Sequence, residues 1–452
     1  MITATIGRIF LDAYNQKFGT QYNAKDFFLK VYHPLFFDSS KYLQWVQNSP
    51  FVQMKKGQKV DTLTLDERHE KLQDFIKKVD ECKVPDASIA PGFPASEEKE
   101  FATTSGQVTN MNLPTAKDDV YLSWIGSSLG IGMQGGYLLI FEPAILLDLF
   151  EGWQLYREVL SNNAKLKGNQ VNAWNGQWLV HRYNKNNYYP KSPMIGFDYN
   201  TLFEETKDGM NIATLSWTKI LIKIAQYSNK SKLHGYFYGF DPKRKLPITI
   251  GFIPINLEGI KRPLDLYKKF FGMHSNEGSK ADDLWGTEYS LKLSCQLGMI
   301  GIKAMQPNGL RQYMTSGKDE EIKLPKYNEK QTINFHTYQI WLLAMLNNEE
   351  LWNKSIEFAR ILQAYVNKDK KLSTKRGNMV KNILASNSKR NFIIAITEIA
   401  SEVEDFTKVE ENVKVINMMP NDNVPYYLAL IRFHFAGLAN KNIQQTLQFE
   451  NN

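Results

Sequence analysis

Two cysteines, Cys82 and Cys295, stand far apart in a chain of 452 residues, so no Cys-x-x-Cys knuckle or thioredoxin-type pair exists. The seven histidines (33, 69, 181, 234, 274, 336, 434) are scattered, with neither His-x-x-x-His nor His-Glu-x-x-His among them. Structural zinc is not expected, nor any other metal or cofactor. The Gly-x-Ser-x-Gly elbow of serine hydrolases and the Gly-Lys-Ser/Thr of a phosphate loop are also missing. No apolar run approaches the ~20 residues of a membrane helix. The best one, Gly136 to Phe150, is broken by Glu142, Pro143 and Asp148. Asp12 interrupts any signal-like region after Arg8. These absences predict a cytoplasmic protein with no membrane partner and no recognisable catalytic centre.

Charge is present in excess and is unevenly placed. Fifty-five basic residues against 47 acidic give +8, and residues 1–200 carry 21 of each sign, so the surplus lies beyond residue 200. Lys219–Lys245 holds seven basic residues and one acid, Asp241; Lys368–Arg390 holds eight and one, Asp369. Such windows favour a polyanion, because neutralised phosphates release condensed counterions. A solvated helix or loop face explains them equally well on charge alone.

The pattern of apolar residues predicts an α+β fold. A mixed α/β body with antiparallel hairpins spans 1–330 and a C-terminal helical bundle spans 331–452. Ile6–Phe18 reads as a helix. Thr64-Leu-Asp-Glu67 has capping-box spacing ahead of Leu72, Phe75, Ile76 and Val79. Cys82 continues that stripe as a small buried hydrophobe. Residues 85–119, with Pro85, Pro91-Gly-Phe-Pro94 and Thr103-Thr-Ser-Gly106, read as a long mobile or binding loop. Strand-like runs follow at Tyr137–Phe141, Pro193–Tyr199 and Met210–Trp217. His234–Phe240 and Leu246–Ile253 read as a hairpin around the cationic turn Asp241-Pro-Lys-Arg-Lys245. Five helical segments complete the chain, at 331–347, 349–367, 376–386, 389–403 and 423–440. His336 and His434 lie in apolar helices and read as packed side chains rather than ligands.

Leu122 to Gly136 packs five glycines into fifteen positions, immediately before an apolar run. Glycine lets a backbone turn tightly or approach another molecule closely. Tight turns leading into a buried strand are one reading. A nucleotide loop fits less well, because the glycines precede a strand-like run instead of following one into a helix.

Asn48-Ser-Pro-Phe-Val-Gln53 followed by Lys55-Lys-Gly57, the glycine-rich segment ending at Gly136, Pro190-Lys-Ser-Pro193 and Ser216-Trp-Thr218 occur in that order. Together they resemble the large subunit (CasA) of type I-E-like CRISPR surveillance complexes, the Cascade effectors. The resemblance covers most of the chain from about residue 30. It implies a non-catalytic subunit that recognises the protospacer-adjacent motif (PAM) in double-stranded DNA, helps open the duplex and supports the displaced strand during R-loop formation. Its implied partners are guide-RNA-bearing subunits, the target duplex and a nuclease on a separate chain. Carried onto this sequence, the motif-reading glycine loop falls on Trp124, Ile125, Gly126, Ser127 and Ser128. The wedge falls on Lys243, Arg244 and Lys245, and the lysine finger on Arg182 or Lys185. The basic window adds Lys370, Lys371, Lys375 and Arg376 as backbone contacts.

Four departures accompany the resemblance. The hairpin turn has no glutamine, the chain opens on a helix where the family has a strand, the family's paired zinc cysteines are missing, and no HNH module is present. Two other readings stay open: a small-molecule or nucleotide-modifying enzyme using the glycine-rich segment with Asp118, Asp119 or Glu142, and a helical interaction protein of another defence system. The modest charge excess predicts that the isolated chain binds duplex weakly and without sequence preference.

Overall fold

The computed structural model describes residues 2–41, 43, 49–81, 116–207, 209–241, 246–272, 284–286, 288–314, 322–328 and 331–450. Cys82 and all but the end of the expected 85–119 loop lie outside the described residues. The fold is mixed α+β, and the chain divides into two compact units, Met1–Leu257 and Glu258–Asn452. The division expected at 330/331 therefore falls inside the second unit.

Among the described residues, the first unit contains six helices of two turns or more: α1 (Ile2–Phe18), α2 (Leu65–Glu81), α3 (Lys117–Ser128), α4 (Pro143–Asn162), α5 (Val171–Arg182) and α6 (Trp217–Tyr227). Its four-stranded sheet has the order β1-β2-β5-β6, all antiparallel, with β1 at Ile131–Met133, β2 at Gly136–Ile140, β5 at Lys232–Asp241 and β6 at Leu246–Asn256. Strands β3 (Phe203–Thr206) and β4 (Gly209–Ile212) form a separate hairpin. The expected capping box is formed: the Thr64 amide donates to Glu67 Oε2 at 2.8 Å and the Glu67 amide to Thr64 Oγ1 at 3.2 Å. The β5–β6 hairpin has the expected pairing, with Asp241 opposite Leu246 across the turn. Ile250 is the extra residue where the register shifts, beside Gly251 at φ +95°; such a bulge bends and twists the strand it sits in.

Two expected strands are not formed in full. Pro193–Tyr199 is a succession of turns, and Met210–Trp217 is a short strand that runs into α6. Helices α4 and α5 bury tryptophans at helical spacing. Trp153, Trp174 and Trp178 are each 1% exposed or less, and the last two donate their indole N–H groups to Gly152 O and Asp148 O at 2.8 and 2.7 Å. Aromatic rings fill the core beside them. Phe51, from the Pro-Phe-Val-Gln segment, stacks on Phe37 at 4.1 Å and meets Phe75 and Trp124. Lys71 of α2 donates to Pro50 O and Gln53 O at 3.2 and 2.5 Å, fixing that segment from below.

In the second unit, again among the described residues, α7 (Leu257–Phe271) and α8 (Glu288–Gln296) precede six helices, α9 (Thr332–Leu346), α10 (Glu350–Asn367), α11 (Ser373–Leu384), α12 (Lys389–Thr397), α13 (Phe406–Met418) and α14 (Val424–Glu450). Three of the five expected C-terminal segments match within three residues. The segment 389–403 ends early at Thr397, 423–440 runs on to Glu450, and α13 follows unanticipated. His336 stacks on Phe271 at 3.7 Å. His434 is buried, with Gln339 Nε2 3.2 Å from its Nδ1 and the Trp352 ring edge-on at 4.5 Å.

Burial lowers the His434 pKa to about 3, and the same cause lowers His33 in the first unit to about 4. An unfolded chain takes up these protons below pH ~6.5 whereas the folded one does not. This part of the stability is therefore full above that pH and declines on acidification, by at most ~1.4 kcal/mol per pH unit for each histidine. We expect His434→Gln to flatten the pH dependence of unfolding of the second unit between pH 6.5 and 4.5. Urea titrations at several pH values measure it, and parallel slopes in variant and parent would contradict the assignment.

Candidate nucleic-acid interface

Trp124–Ser128 is the last turn of α3, and it is buried: Trp124, Ile125 and Ser128 have no exposed surface and Ser127 has 7%. The expected minor-groove loop is corrected accordingly. Gly126 faces Gly7 where α3 crosses α1. A Cβ on Gly126 would lie 1.8 Å from Thr3 O, and one on Gly7 would lie 2.1 Å from Leu122 O. The glycines permit close approach, as their chemistry suggests, but the other molecule is a neighbouring helix. The polar groups that would have read base edges are already engaged. Tyr32 Oη donates to Trp124 O at 3.1 Å and lies 2.6 Å from Ser128 Oγ. Asn172 and Asn175 of α5 donate to Ser127 O and Ser128 O at 2.9 and 2.7 Å, and both reach Gly130 O. These two asparagines satisfy carbonyls at the α3 terminus that have no partner within the helix. The remaining glycines build the β1–β2 hairpin, with Gly135 at φ +88° in its turn.

Arg182 does not project as a finger. Its Nη2 pairs with Asp148 Oδ1 at 2.7 Å and Glu151 Oε2 at 3.0 Å, the guanidinium lies 5.3 Å from the Tyr188 ring, and its side chain is 15% exposed. Asp148 also accepts from Tyr183 Oη at 2.8 Å. This arginine neutralises two carboxylates where α4 meets α5. Lys185, three residues on, is exposed. Lys243, Arg244 and Lys245 lie outside the described residues. The carboxylates considered for an enzyme have structural partners in two of three cases: Asp119 pairs with Arg8 at 2.7 Å, and Glu142 pairs with Lys230.

The basic window of the second unit resolves into two kinds of residue. Lys370, Lys371 and Lys375 are exposed. Arg376 is 8% exposed, with Nη2 3.1 Å from Glu402 Oε2 and its guanidinium 5.0 Å from the Tyr365 ring, so it rivets α11 to its surroundings. Its assignment as a backbone contact is corrected. Lys381, further along the same helix, is exposed. Along α11, Thr374, Lys375, Asn378, Lys381 and Asn382 are exposed while Arg376, Val380, Ile383 and Leu384 are buried, which is one polar and one apolar face at helical spacing. Six residues place Lys375 and Lys381 about 9 Å apart along the axis. Among the described residues, no carboxylate pairs with Lys370, Lys371, Lys375 or Lys381. By contrast Lys368 reaches Glu404 at 3.8 Å, and Lys389 donates to Asn417 O at 2.9 Å. Exposed lysines without counter-ions are available to an external anion.

The C-terminal end of α11 is held by Arg432 of α14, which is 1% exposed. It donates to Leu384 O, to Ser386 O at 2.7 Å and to Tyr313 O at 3.2 Å. Burial pulls its pKa down to about 10. Arg432 lies in the apolar stretch Ile-Arg-Phe-His-Phe, and an arginine inside such a stretch was the available signal for it. Compared with protein-family models, with curated proteins and with solved structures, the chain matches none. No described helix is long and apolar enough to cross a membrane.

Proposed function

We propose that this chain is a non-catalytic, DNA-binding large subunit of a Cascade-like RNA-guided complex, and that it holds the target duplex by its phosphates along α11. One observation carries the reading: Lys370, Lys371, Lys375 and Lys381 border a solvent face that has no acidic residue from Lys370 to Arg390. Thr374, Asn378 and Asn382 interleave the lysines with neutral donors, the composition that suits sugar–phosphate contacts. Such contacts set position and affinity without reading sequence. The partners in this reading are guide-RNA-bearing subunits, duplex DNA and a nuclease on another chain, all in the cytoplasm. Opening of the duplex falls to the cationic turn at Lys243, Arg244 and Lys245. Trp124–Ser128 takes no part in motif recognition.

Replacing Lys370, Lys371, Lys375 and Lys381 with alanine is expected to flatten the log affinity–log salt slope on a DNA duplex by about 0.9 for each phosphate that is no longer neutralised. Preference among duplex sequences stays unchanged. Fluorescence anisotropy of the full chain at several salt concentrations measures this, and an unaltered slope overturns the interface. Co-expression with neighbouring subunits and a repeat–spacer RNA tests the assembly: the chain should purify in a large ribonucleoprotein, and a chain that stays alone contradicts that part.

A further inference from the structure

The connection between α5 and β3 has a composition that neither the core nor the duplex reading uses. Three of its large side chains point into solvent, Tyr189 at 53% exposure, Ile195 at 58% and Tyr199 at 51%. Lys185, Asn186, Asn187 and Lys191 are exposed beside them. No acidic residue occurs from Tyr183 to Phe197. Of the neighbouring carboxylates, Asp148 and Glu151 are paired with Arg182, and Asp198, just past the segment, is exposed and accepts from the Asn200 amide at 3.1 Å and Thr201 Oγ1 at 3.0 Å.

The segment is built as a rigid loop. Phe197 stacks on Trp174 at 5.6 Å and packs against the His181 ring at 4.4 Å, and a ring nitrogen of His181 lies 2.7 Å from Pro193 O. Tyr188 meets Trp178 edge-on at 6.0 Å. The Tyr188, Ser192 and Ile195 amides donate to Asn184 O, Tyr189 O and Ser192 O, each at 2.9 Å. The two arms touch at Gly196, which has φ +79° and where a Cβ would lie 2.5 Å from Asn187 O. Thus Tyr188 and Phe197 anchor the loop, while Tyr189 and Ile195 have no packing role to account for their exposure.

We propose that this loop binds an unpaired nucleotide strand, with the Tyr189 ring stacking on a base and Lys185 and Lys191 on its phosphates. The exposed Tyr189 and Ile195, with lysines and no carboxylate between residues 183 and 197, match a ligand that is anionic and offers flat apolar faces. A duplex hides those faces in its stack, whereas a single strand presents them. A protein hot spot would use the same rings, but the one-signed charge favours the nucleic acid. The inference goes beyond the duplex reading, and it rests on different residues in the other unit.

Anisotropy of the full chain with labelled oligothymidine and oligodeoxyadenosine tests it. We expect Tyr189→Ala to weaken single-strand binding about 5- to 150-fold, the range for losing one stacked base. Tyr189→Phe should stay near the parent, and duplex binding should be unaltered in both. Lys185→Ala with Lys191→Ala should flatten the single-strand salt slope by about 0.7 per lysine. The α11 lysine variant should show the reverse pattern, losing duplex and keeping single strand, so each site can fail without the other. The proposal is overturned if the parent binds neither oligonucleotide. It is equally overturned if Tyr189→Ala binds as the parent does, or if Tyr189→Phe loses as much as Tyr189→Ala. Loss of a co-purifying protein on Tyr189→Ala with single-strand affinity intact would make the loop a protein-docking surface instead.

Discussion

Replacing Gly126 with alanine is expected to lower the melting temperature of the Met1–Leu257 unit by about 6–12 °C. The added methyl would lie 1.8 Å from Thr3 O, a backbone atom that cannot swing aside. Relief requires α1 and α3 to separate, and both helices are buried along this seam by Ile6, Phe10, Leu122 and Trp124. Overpacking costs ~1–3 kcal/mol where side chains can give, and more where backbone must move. We take ~3 kcal/mol, at ~2–4 °C per kcal/mol for a unit of this size. Gly377 of α11 is the control, because nothing lies within 4 Å of a Cβ there; Gly377→Ala should raise stability by up to ~1 kcal/mol, the helix-propensity difference. Calorimetry on the three proteins decides the matter, and a Gly126→Ala variant that melts with the parent would show that the helices do not meet this way. The same substitution on an exposed, base-reading loop would have left folding alone and weakened motif-dependent binding.

Removal of the Arg432 side chain should be comparably severe for the second unit. Arg432→Leu leaves the carbonyls of Leu384, Ser386 and Tyr313 without their donor in an interior position. Each unmet buried carbonyl costs ~1–3 kcal/mol. The variant also sheds the cost of burying a guanidinium that no carboxylate among the described residues neutralises, a burial that also lowers its pKa. The balance is a loss of ~3–5 kcal/mol, among the largest single-residue effects. Arg432→Lys retains the charge but carries a single nitrogen, so it should recover less than half. Urea unfolding gives the magnitudes. Hydrogen exchange should show the amides around Leu384 opening first, because Arg432 ties that end of α11 to α14. A loss below about 1 kcal/mol for Arg432→Leu would mean that the carbonyls find other donors.

Signals contained within a few consecutive residues were readable directly. The capping box at Thr64 and Glu67, the β5–β6 hairpin and most of the C-terminal helices are set by contacts three, four or a few residues apart, so the sequence displays both partners at once. Helices α4 and α5 were missed because tryptophan and glycine dilute their periodicity. In α5 the polar residues Asn175, Gln177 and His181 are buried along with the tryptophans, so polarity and exposure part company and no polar stripe marks the helix; α4 carries one at Gln154, Glu158 and Ser161. The basic window 368–390 did not by itself separate Lys375 from Arg376: adjacent residues on a helix point about 100° apart, and only the position of Glu402 and Tyr365 makes one structural and leaves the other exposed.

Residue order alone determined the α+β class, the cationic hairpin, the helical C-terminal segments and the whereabouts of the positive charge. The tertiary structure decided what the glycines at 126 and 7 are for, because a residue without Cβ invites close approach from whatever lies opposite, and Gly7 stands 119 positions earlier in the chain. It likewise decided which cations are spent. Arg182, Arg376 and Arg432 are held by carboxylates or carbonyls brought to them from other elements, whereas Lys185, Lys370, Lys371, Lys375 and Lys381 face solvent. A charge is available to a ligand only where folding has brought it no partner, and that depends on pairings between segments distant in sequence.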